Sequence, residues 1–203
     1  MSPSQPASQP DDQKTALVVI DVLNRYEHED AEALVASVTE TIDALSDLID
    51  RGRRIGVPIV YVNDNYGDWN AARAELCARA LAGRAPALVD PVLPPAGVAF
   101  LTKARHSAFY ETQLDYLLRS EGIQRVVLAG QVTEQCVLYT ALDAYVRHYD
   151  VVIPRDAVAH IHRDLAEAAL EMTQRNMRAE IVDAEKLFAP EMTDALNGQR
   201  AAG

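Results

Sequence analysis

The sequence predicts a three-layer α/β/α fold built on a doubly wound, mainly parallel sheet of six strands. Three observations carry this expectation. Short apolar runs alternate with longer stretches of 3.6-residue period, the pattern of a parallel sheet wrapped in helices. The chain has 203 residues, 49% of them hydrophobic, which is enough for one domain with a full core. No segment repeats at a period of roughly 20 to 50 residues, so an array or solenoid is not expected.

The elements follow in order. Residues 1–14 place Pro3, Pro6 and Pro10 among Ser, Gln and Asp, with too little apolar area to offset the entropy of ordering, and are expected to be a disordered tail. TALVVI (15–20) is the first strand. Leu34, Val38, Ile42, Leu45 and Leu48 or Ile49 form one stripe at spacings of three and four, predicting a helix over 31–51 that Gly52 and Gly56 then break. PIVYV is the second strand, and a helix is expected over 70–81. VAFLT is the third strand, followed by a helix over 112–119. RVVLAG is the fourth, followed by a helix over 134–149. DVVIP, a helix over 165–177 and AEIVD complete a domain expected to span 15–188, with 189–203 as a C-terminal tail.

Charge and composition exclude several classes. A net charge of −11 with no basic cluster would repel a phosphate backbone, so no nucleic-acid partner is expected. No apolar run approaches the roughly 18 residues of a membrane span, and MSPSQPASQPDDQ lacks the features of a signal peptide. The expectation is a cytoplasmic protein without a membrane partner. Cys77 and Cys136 are far apart and show no CxxC spacing, so if either matters, it matters singly.

Open parallel sheets bind ligands at the carboxyl ends of their strands, which narrows the search for chemistry to a few turns. Asp21 follows LVVI, Lys103 follows AFLT, and Cys136 lies in GQVTEQCV beyond the fourth strand. Each has an ordinary structural explanation: a turn-forming Asp, a solvated Lys, a core Cys. Their combination is more informative. With Thr133 as N-cap, Cys136 falls in the first turn of a helix, where unpaired N–H groups and the dipole favour a thiolate. A nearby Lys103 ammonium would lower the thiol pKa further, and Asp21 could take the thiol proton and return it to a leaving group. Cys77, in mid-helix, is expected to be inert.

The order VVIDVLN, a Lys after the third strand, then GQVTEQCV resembles the isochorismatase-like cysteine hydrolases, a family that includes nicotinamidases and N-carbamoylsarcosine amidohydrolases. The resemblance runs from Thr15 to about Asp183. It implies that Asp21 is the general base and acid, Lys103 the orienting cation and Cys136 the nucleophile. It further implies a cis peptide at Gln131–Val132 and an oxyanion hole made by the N–H groups of Val132 and Cys136. A homo-oligomer is implied as well. Family nicotinamidases hold a divalent metal with an Asp-x-His after the second strand. Here that segment is Asp64-Asn65-Tyr66, and none of His28, His106, His148, His160 and His162 lies between Asp64 and Lys103, so no metal and no other cofactor is expected.

Residues expected to contact substrate are Asn24 and Tyr26 after Asp21, Asn63, Asp64, Asn65, Tyr66 and Trp69 after the second strand, His106 and Phe109 after Lys103, and Gln131. Tyr110 is a further candidate. His160 and His162 read as surface or cap residues. Glu27, Glu29 and Asp30 on the loop after Asp21 are expected to make the field near the cleft negative, with Arg25 and Arg105 the residues most able to reverse it.

The leading expectation is a cysteine hydrolase that cleaves a C–N bond of a small amide, ureido or lactam substrate through a thioester, with water activated by Asp21 completing the reaction. Alternatives are hydrolysis of an isochorismate-type vinyl ether, which the cysteine argues against, and a non-catalytic binding module on the same fold. A dinucleotide-binding domain fails at its own motif, because IDVLNRY contains no glycine.

Overall fold

The computed structural model describes residues 14–189, so the expected tails, apart from Lys14 and Ala189, lie outside the described residues. The elements are β1 (Thr15–Ile20), α1 (Ala31–Arg54), β2 (Ile59–Asp64), α2 (Arg73–Leu81), α3 (Pro86–Val89), β3 (Ala99–Lys103), α4 (Leu114–Ser120), β4 (Arg125–Gln131), α5 (Leu138–Val146), β5 (Asp150–Pro154), β6 (Val158–Ala159), α6 (Arg163–Met177) and β7 (Glu180–Val182). The strands run parallel in the order β3-β2-β1-β4-β5-β7, with β6 paired to β4.

The sheet is buried on both faces, which explains why its strands read as near-continuous apolar runs. Leu17, Val19, Tyr61, Val127 and Val152 face one core with Leu34, Val38 and Leu45 of α1 and Leu76 of α2. Ala16, Val18, Val60, Leu128 and Ile153 face the other, with Leu114 and Leu118 of α4 and Ala141 and Ala144 of α5. Leu170 and Met177 bring α6 onto the second core.

The structure corrects the expected elements in four places. There are seven strands among the described residues, because Val158–Ala159 pairs with Gly130–Gln131 beyond the end of β5. Gly52 does not break α1. It is buried within the helix, where a Cβ would meet Phe188 and Ile59 only at ordinary contact distance; Gly56, at φ +75°, follows the helix end. The segment before β3 holds α3 and a 3-10 turn, Asp90–Val92, that periodicity did not reveal. Finally, the expected helix over 134–149 opens with a π turn, Thr133–Val137, before α5.

That last difference also removes Thr133 as a cap. Its hydroxyl donates to the Ala159 carbonyl at 2.8 Å, while Val132 stands at the cap position with extended backbone. The turn is thus anchored to β6. Gly130 completes the anchor: its N–H donates to Ala157 O at 2.9 Å, and at φ +113° a Cβ would sit 2.2 Å from the Ile20 carbonyl oxygen. Only glycine lets β4 approach β1 this closely.

Gly130→Ala should therefore destabilise the fold by about 1 to 3 kcal/mol or more through backbone strain and the clash with Ile20. In a domain of this size that corresponds to a fall in Tm of roughly 2 to 12 °C. Calorimetry of the variant beside Gly56→Ala, which meets nothing within 4 Å, checks it: an equal, small shift in both would contradict the close-approach argument.

Candidate active site

Parallel register brings the ends of β1 to β4 to one edge. Ile20 pairs with Val62 and with Gly130, and Asp64 pairs with Lys103. Asp21 turns out of β1 at φ +54°, its N–H held by Val62 O at 3.0 Å. Its carbonyl accepts a bond from the Gln131 side chain. The carboxylate is engaged on both oxygens: Oδ1 accepts the Asp64 N–H at 2.6 Å, and Oδ2 lies 2.8 Å from Lys103 Nζ.

Lys103 stands on the edge strand, two strand spacings from Asp21, and its flexible stem bridges the gap. The side chain is fully buried. Its ammonium reaches Asp21, Asp64 Oδ2 at 3.6 Å and Cys136 Sγ at 3.4 Å. Cys136 sits in the π turn, and Thr140, four residues on, accepts the Ala108 N–H while donating to Cys136 O, which ties the loop after β3 to the cysteine turn. The Gln131–Val132 peptide is cis. Val132 O accepts the N–H groups of Gln135 and Val137, whereas the Val132 N–H meets no backbone acceptor among the described residues.

Burial dominates the electrostatics. It raises the Asp21 carboxyl above the ordinary carboxylate value, with Lys103 acting against it. Burial opposes the Lys103 charge, yet Asp21, Cys136 and Asp64 together outweigh it and the lysine is raised. The Cys136 thiol is also pushed up, by burial first and by the Asp21 charge second, with Lys103 opposing. This corrects the expectation of a depressed thiol. The ammonium is present as foreseen, but desolvation and the neighbouring carboxylate exceed its pull, so the resting sulfur keeps its proton.

A cleft of about 710 Å³ opens beside this cluster, lined by Asp64, Asn65, Tyr66, Trp69, Lys103 and His106 among the residues expected to be functional. Arg105, Tyr110 and Glu111 line it as well. Trp69 is 81% exposed, and Tyr66 turns its hydroxyl to the Leu23 carbonyl at 2.9 Å. His106 stacks on Tyr139, and its Nδ1 lies 3.7 Å from Cys136 Sγ.

Other expected contacts lie outside the lining. Asn63 is buried and bonds the N–H and carbonyl of Leu23; Asn24 accepts the Tyr26 N–H. Tyr26 is buried and donates to Gln131, which in turn holds Asp21, while Phe109 stacks on Tyr149 inside the second core. Of these five, Tyr26 and Gln131 hold Asp21 from behind. His160 is half-buried, its ring bonded to Ser37 at 2.9 Å, and His162 stands at the N-terminal cap position of α6. Glu27, Glu29 and Asp30 are exposed and do not line the cleft, and Arg25 is paired with Glu27 at 2.6 Å. Asp64, Asp68 and Glu111 line it against Lys103 and Arg105. Sequence reasoning missed Tyr139 and Thr140; their spacing of three and four from Cys136 was the available signal. No group of three or more His, Cys, Asp or Glu that could hold a metal ion occurs among the described residues. No helix among them is long and apolar enough to cross a membrane.

Fold and cluster together define an α/β protein of the isochorismatase-like hydrolase fold, with a buried Asp–Lys–Cys constellation at the carboxyl edge of its sheet. The isochorismatase domain model matches residues 15–186, and the chain belongs to that family. It is 33% identical over 173 residues to the uncharacterized isochorismatase family protein YaaI of Bacillus subtilis, covering 85% of this chain and 96% of that one. It is 30% identical to the maleamate amidohydrolase of Pseudomonas putida, with 77% and 78% covered. The crystal structure of N-carbamoylsarcosine amidase from Thermoplasma acidophilum superposes with a TM-score of 0.67 at 31% identity, covering 85% of this chain and 98% of that one.

Lys103→Met tests the electrostatics. A group raised on folding favours the native state when protonated, so its stabilising effect is present in acid and is lost as pH rises through its native value. Asp21 is such a group, and removing Lys103 removes the charge that holds it down. The variant should lose about 3 to 5 kcal/mol near pH 7.5, where a buried carboxylate is left unpaired, and distinctly less at pH 5. Urea denaturation at both pH values measures this, and an identical loss at each would contradict it.

Proposed function

We propose that this chain is a cysteine amidohydrolase that cleaves a non-peptide C–N bond of a small molecule through a thioester. The observation that carries the reading is the single buried contact of Lys103 Nζ with both Asp21 and Cys136 Sγ, which gathers base, cation and nucleophile at one strand edge beside an open cleft. Membership of a family whose relatives include a maleamate amidohydrolase and an N-carbamoylsarcosine amidase supports it.

The chemistry follows from these positions. Asp21 takes the thiol proton as Sγ attacks the amide carbonyl; its raised proton affinity suits it to that task. Lys103 holds the carboxylate in place and faces the developing thiolate. The N–H groups of Val132 and Cys136 receive the oxyanion. Asp21 then gives its proton to the departing nitrogen, leaving an acyl group on sulfur for water to remove. Asn65, Tyr66 and Trp69 offer a polar and aromatic wall suited to a planar amide or urea.

Cys136→Ala should abolish ammonia or amine release from a panel of small amides, ureido acids and lactams, by at least about 1,000-fold, while leaving the fold intact. Cys77→Ala should retain activity, because that thiol lies in α2 away from the cleft lining. Equal losses in both variants at unchanged stability would sink the assignment.

The reading also requires no metal. Tyr66 stands where a second ligand would be, and its N–H donates to Asp64 Oδ1 at 2.7 Å. Asp64 Oδ2 already faces Lys103. Exhaustive chelation should leave turnover unchanged, and recovery of activity only on adding a divalent cation would overturn this.

A further inference from the structure

The charges that line the cleft are mostly answered within the protein. Lys103 is shared by two carboxylates, Asp21 at 2.8 Å and Asp64 at 3.6 Å, which leaves its ammonium little pull on an incoming anion. Asp68 is paired with Arg79 at 2.6 Å. Arg25 is paired with Glu27 and stands outside the lining. Arg105 is different. It lines the cleft, it is exposed, and it has no carboxylate partner among the described residues. Its one side-chain hydrogen bond runs from Nη1 to the adjacent Ala104 carbonyl at 3.3 Å. Nε and Nη2, the donors along one edge of the guanidinium fork, are left open, and that edge matches the paired oxygens of a carboxylate.

The backbone that carries Arg105 is held on both sides. Lys103, two residues before it, is buried, and its carbonyl accepts the Asn65 N–H at 2.9 Å. His106, the next residue, stacks on Tyr139 at 5.4 Å and sets its Nδ1 3.7 Å from Cys136 Sγ. Two residues further on, the Ala108 N–H is bound by the Thr140 hydroxyl at 3.0 Å. A backbone fixed in advance lowers the ordering cost of binding. Consecutive Cα atoms are only about 3.8 Å apart, so a guanidinium next to His106 serves a ligand small enough to reach the sulfur as well.

We propose that Arg105 is the specificity residue of this cleft, and that it binds the carboxylate of a substrate carrying one negative charge, a small amido or ureido acid. The amide part of this assignment rests on the amidohydrolase reading; the carboxylate part does not. A neutral amide makes no charge-assisted bond to the open edge of the fork. A second carboxylate finds no further Lys or Arg in the lining without a carboxylate partner among the described residues, and it meets Glu111, which lines the cleft without an ion pair there. The chain as a whole carries −11, a field that favours no anion, and charges beyond roughly 8 to 10 Å are screened. Selection of the monoanion is therefore local to Arg105 and Glu111.

Binding to the full chain carrying Cys136→Ala separates recognition from turnover. The probes are two monoanions, succinamate and N-carbamoylglycine, their neutral counterparts succinamide and N-carbamoylglycinamide, and the dianion N-carbamoylaspartate. Calorimetry at pH 8 should find at least one monoanion bound about tenfold or more tightly than its neutral counterpart and than the dianion. Adding Arg105→Gln should remove that preference by weakening the monoanion about tenfold while the neutral probe is unchanged. Arg105→Lys, which keeps the charge without the fork, should recover only part of it. Both substitutions are at an exposed side chain, so the fold is not at stake. Glu111→Gln should narrow the gap between monoanion and dianion, and an unchanged gap would refute the single-charge limit. Equal binding of monoanion and neutral probe, equal weakening of both by Arg105→Gln, or no binding of either monoanion at millimolar concentration would overturn the proposal. Turnover by the wild-type chain then separates the two readings. An Arg105-dependent preference with no hydrolysis of any probe would refute the amidohydrolase reading and leave the carboxylate subsite standing. Hydrolysis of charged and neutral probes with the same kcat/KM would do the reverse.

Discussion

The buried Lys103 ammonium is the constraint on which the carboxyl edge of this fold is organised. Moving such an ion out of water costs several kcal/mol even after relaxation, so it persists only where good geometry offsets that cost. Here the offset comes from Asp21 at 2.8 Å, with Asp64 at 3.6 Å and the sulfur of Cys136 at 3.4 Å. Those three partners arrive from β1, β2 and the turn after β4. Register is what lets them meet: a slip of one residue in any of these parallel pairings would send every side chain to the opposite face. The strand-end register that sets Ile20 beside Gly130 and Asp64 beside Lys103 is accordingly part of the site.

A second ring of residues holds the first. Gln131 reaches from the end of β4 to the Asp21 carbonyl, and Tyr26 holds Gln131 from the other side. Glu134, inside the cysteine turn, accepts the N–H groups of Ile161 and His162 at the start of α6, while Thr133 bonds the Ala159 carbonyl. The short strand β6 is therefore a backing plate for the turn that carries Cys136. Such bonds are worth roughly 1 kcal/mol apiece in stability, with charge-assisted ones somewhat more, but their larger effect is to fix the position of the sulfur.

The strands and most helices were legible because their signal is local. A strand buried on both faces is an apolar run, and α1 shows its buried stripe at every turn. Asp21, Lys103 and Cys136 were legible for a related reason, since each follows a strand that could be read. What escaped was non-local. Val158 and Ala159 form a strand only because Gly130 and Gln131 present their edge, and two residues carry no period of their own. Gly52 lies buried inside α1, beside Phe188 from far along the chain, and its residue type alone did not say that the helix would run on through it. The π turn is hidden within VTEQCVLY, whose apolar spacing is that of an ordinary helix. Composition likewise could not separate Tyr26 and Phe109, which ended in the interior, from Trp69, which lies in the cleft; all three are aromatics on strand-end loops, and only the packing of α1 to α5 decides which are covered.

The direction of the thiol shift has a consequence for how the site works. A helix-start cysteine beside an ammonium would ordinarily be read as a standing thiolate. Burial reverses this here, and the Asp21 charge adds to it, so the sulfur holds its proton while Asp21 pairs with the Lys103 ammonium. A second anion next to that carboxylate would leave two negative charges sharing one ammonium in a poorly solvated place. In the proposed mechanism, transferring the proton from sulfur to Asp21 as the carbonyl is attacked avoids this state: the carboxylate is neutralised as the sulfur's charge passes on to the oxyanion. The same burial that suppresses the free thiolate raises the proton affinity of Asp21 and makes it a better base. On the proposed mechanism, the reactivity of the sulfur is in this way tied to the presence of an acceptor in the cleft.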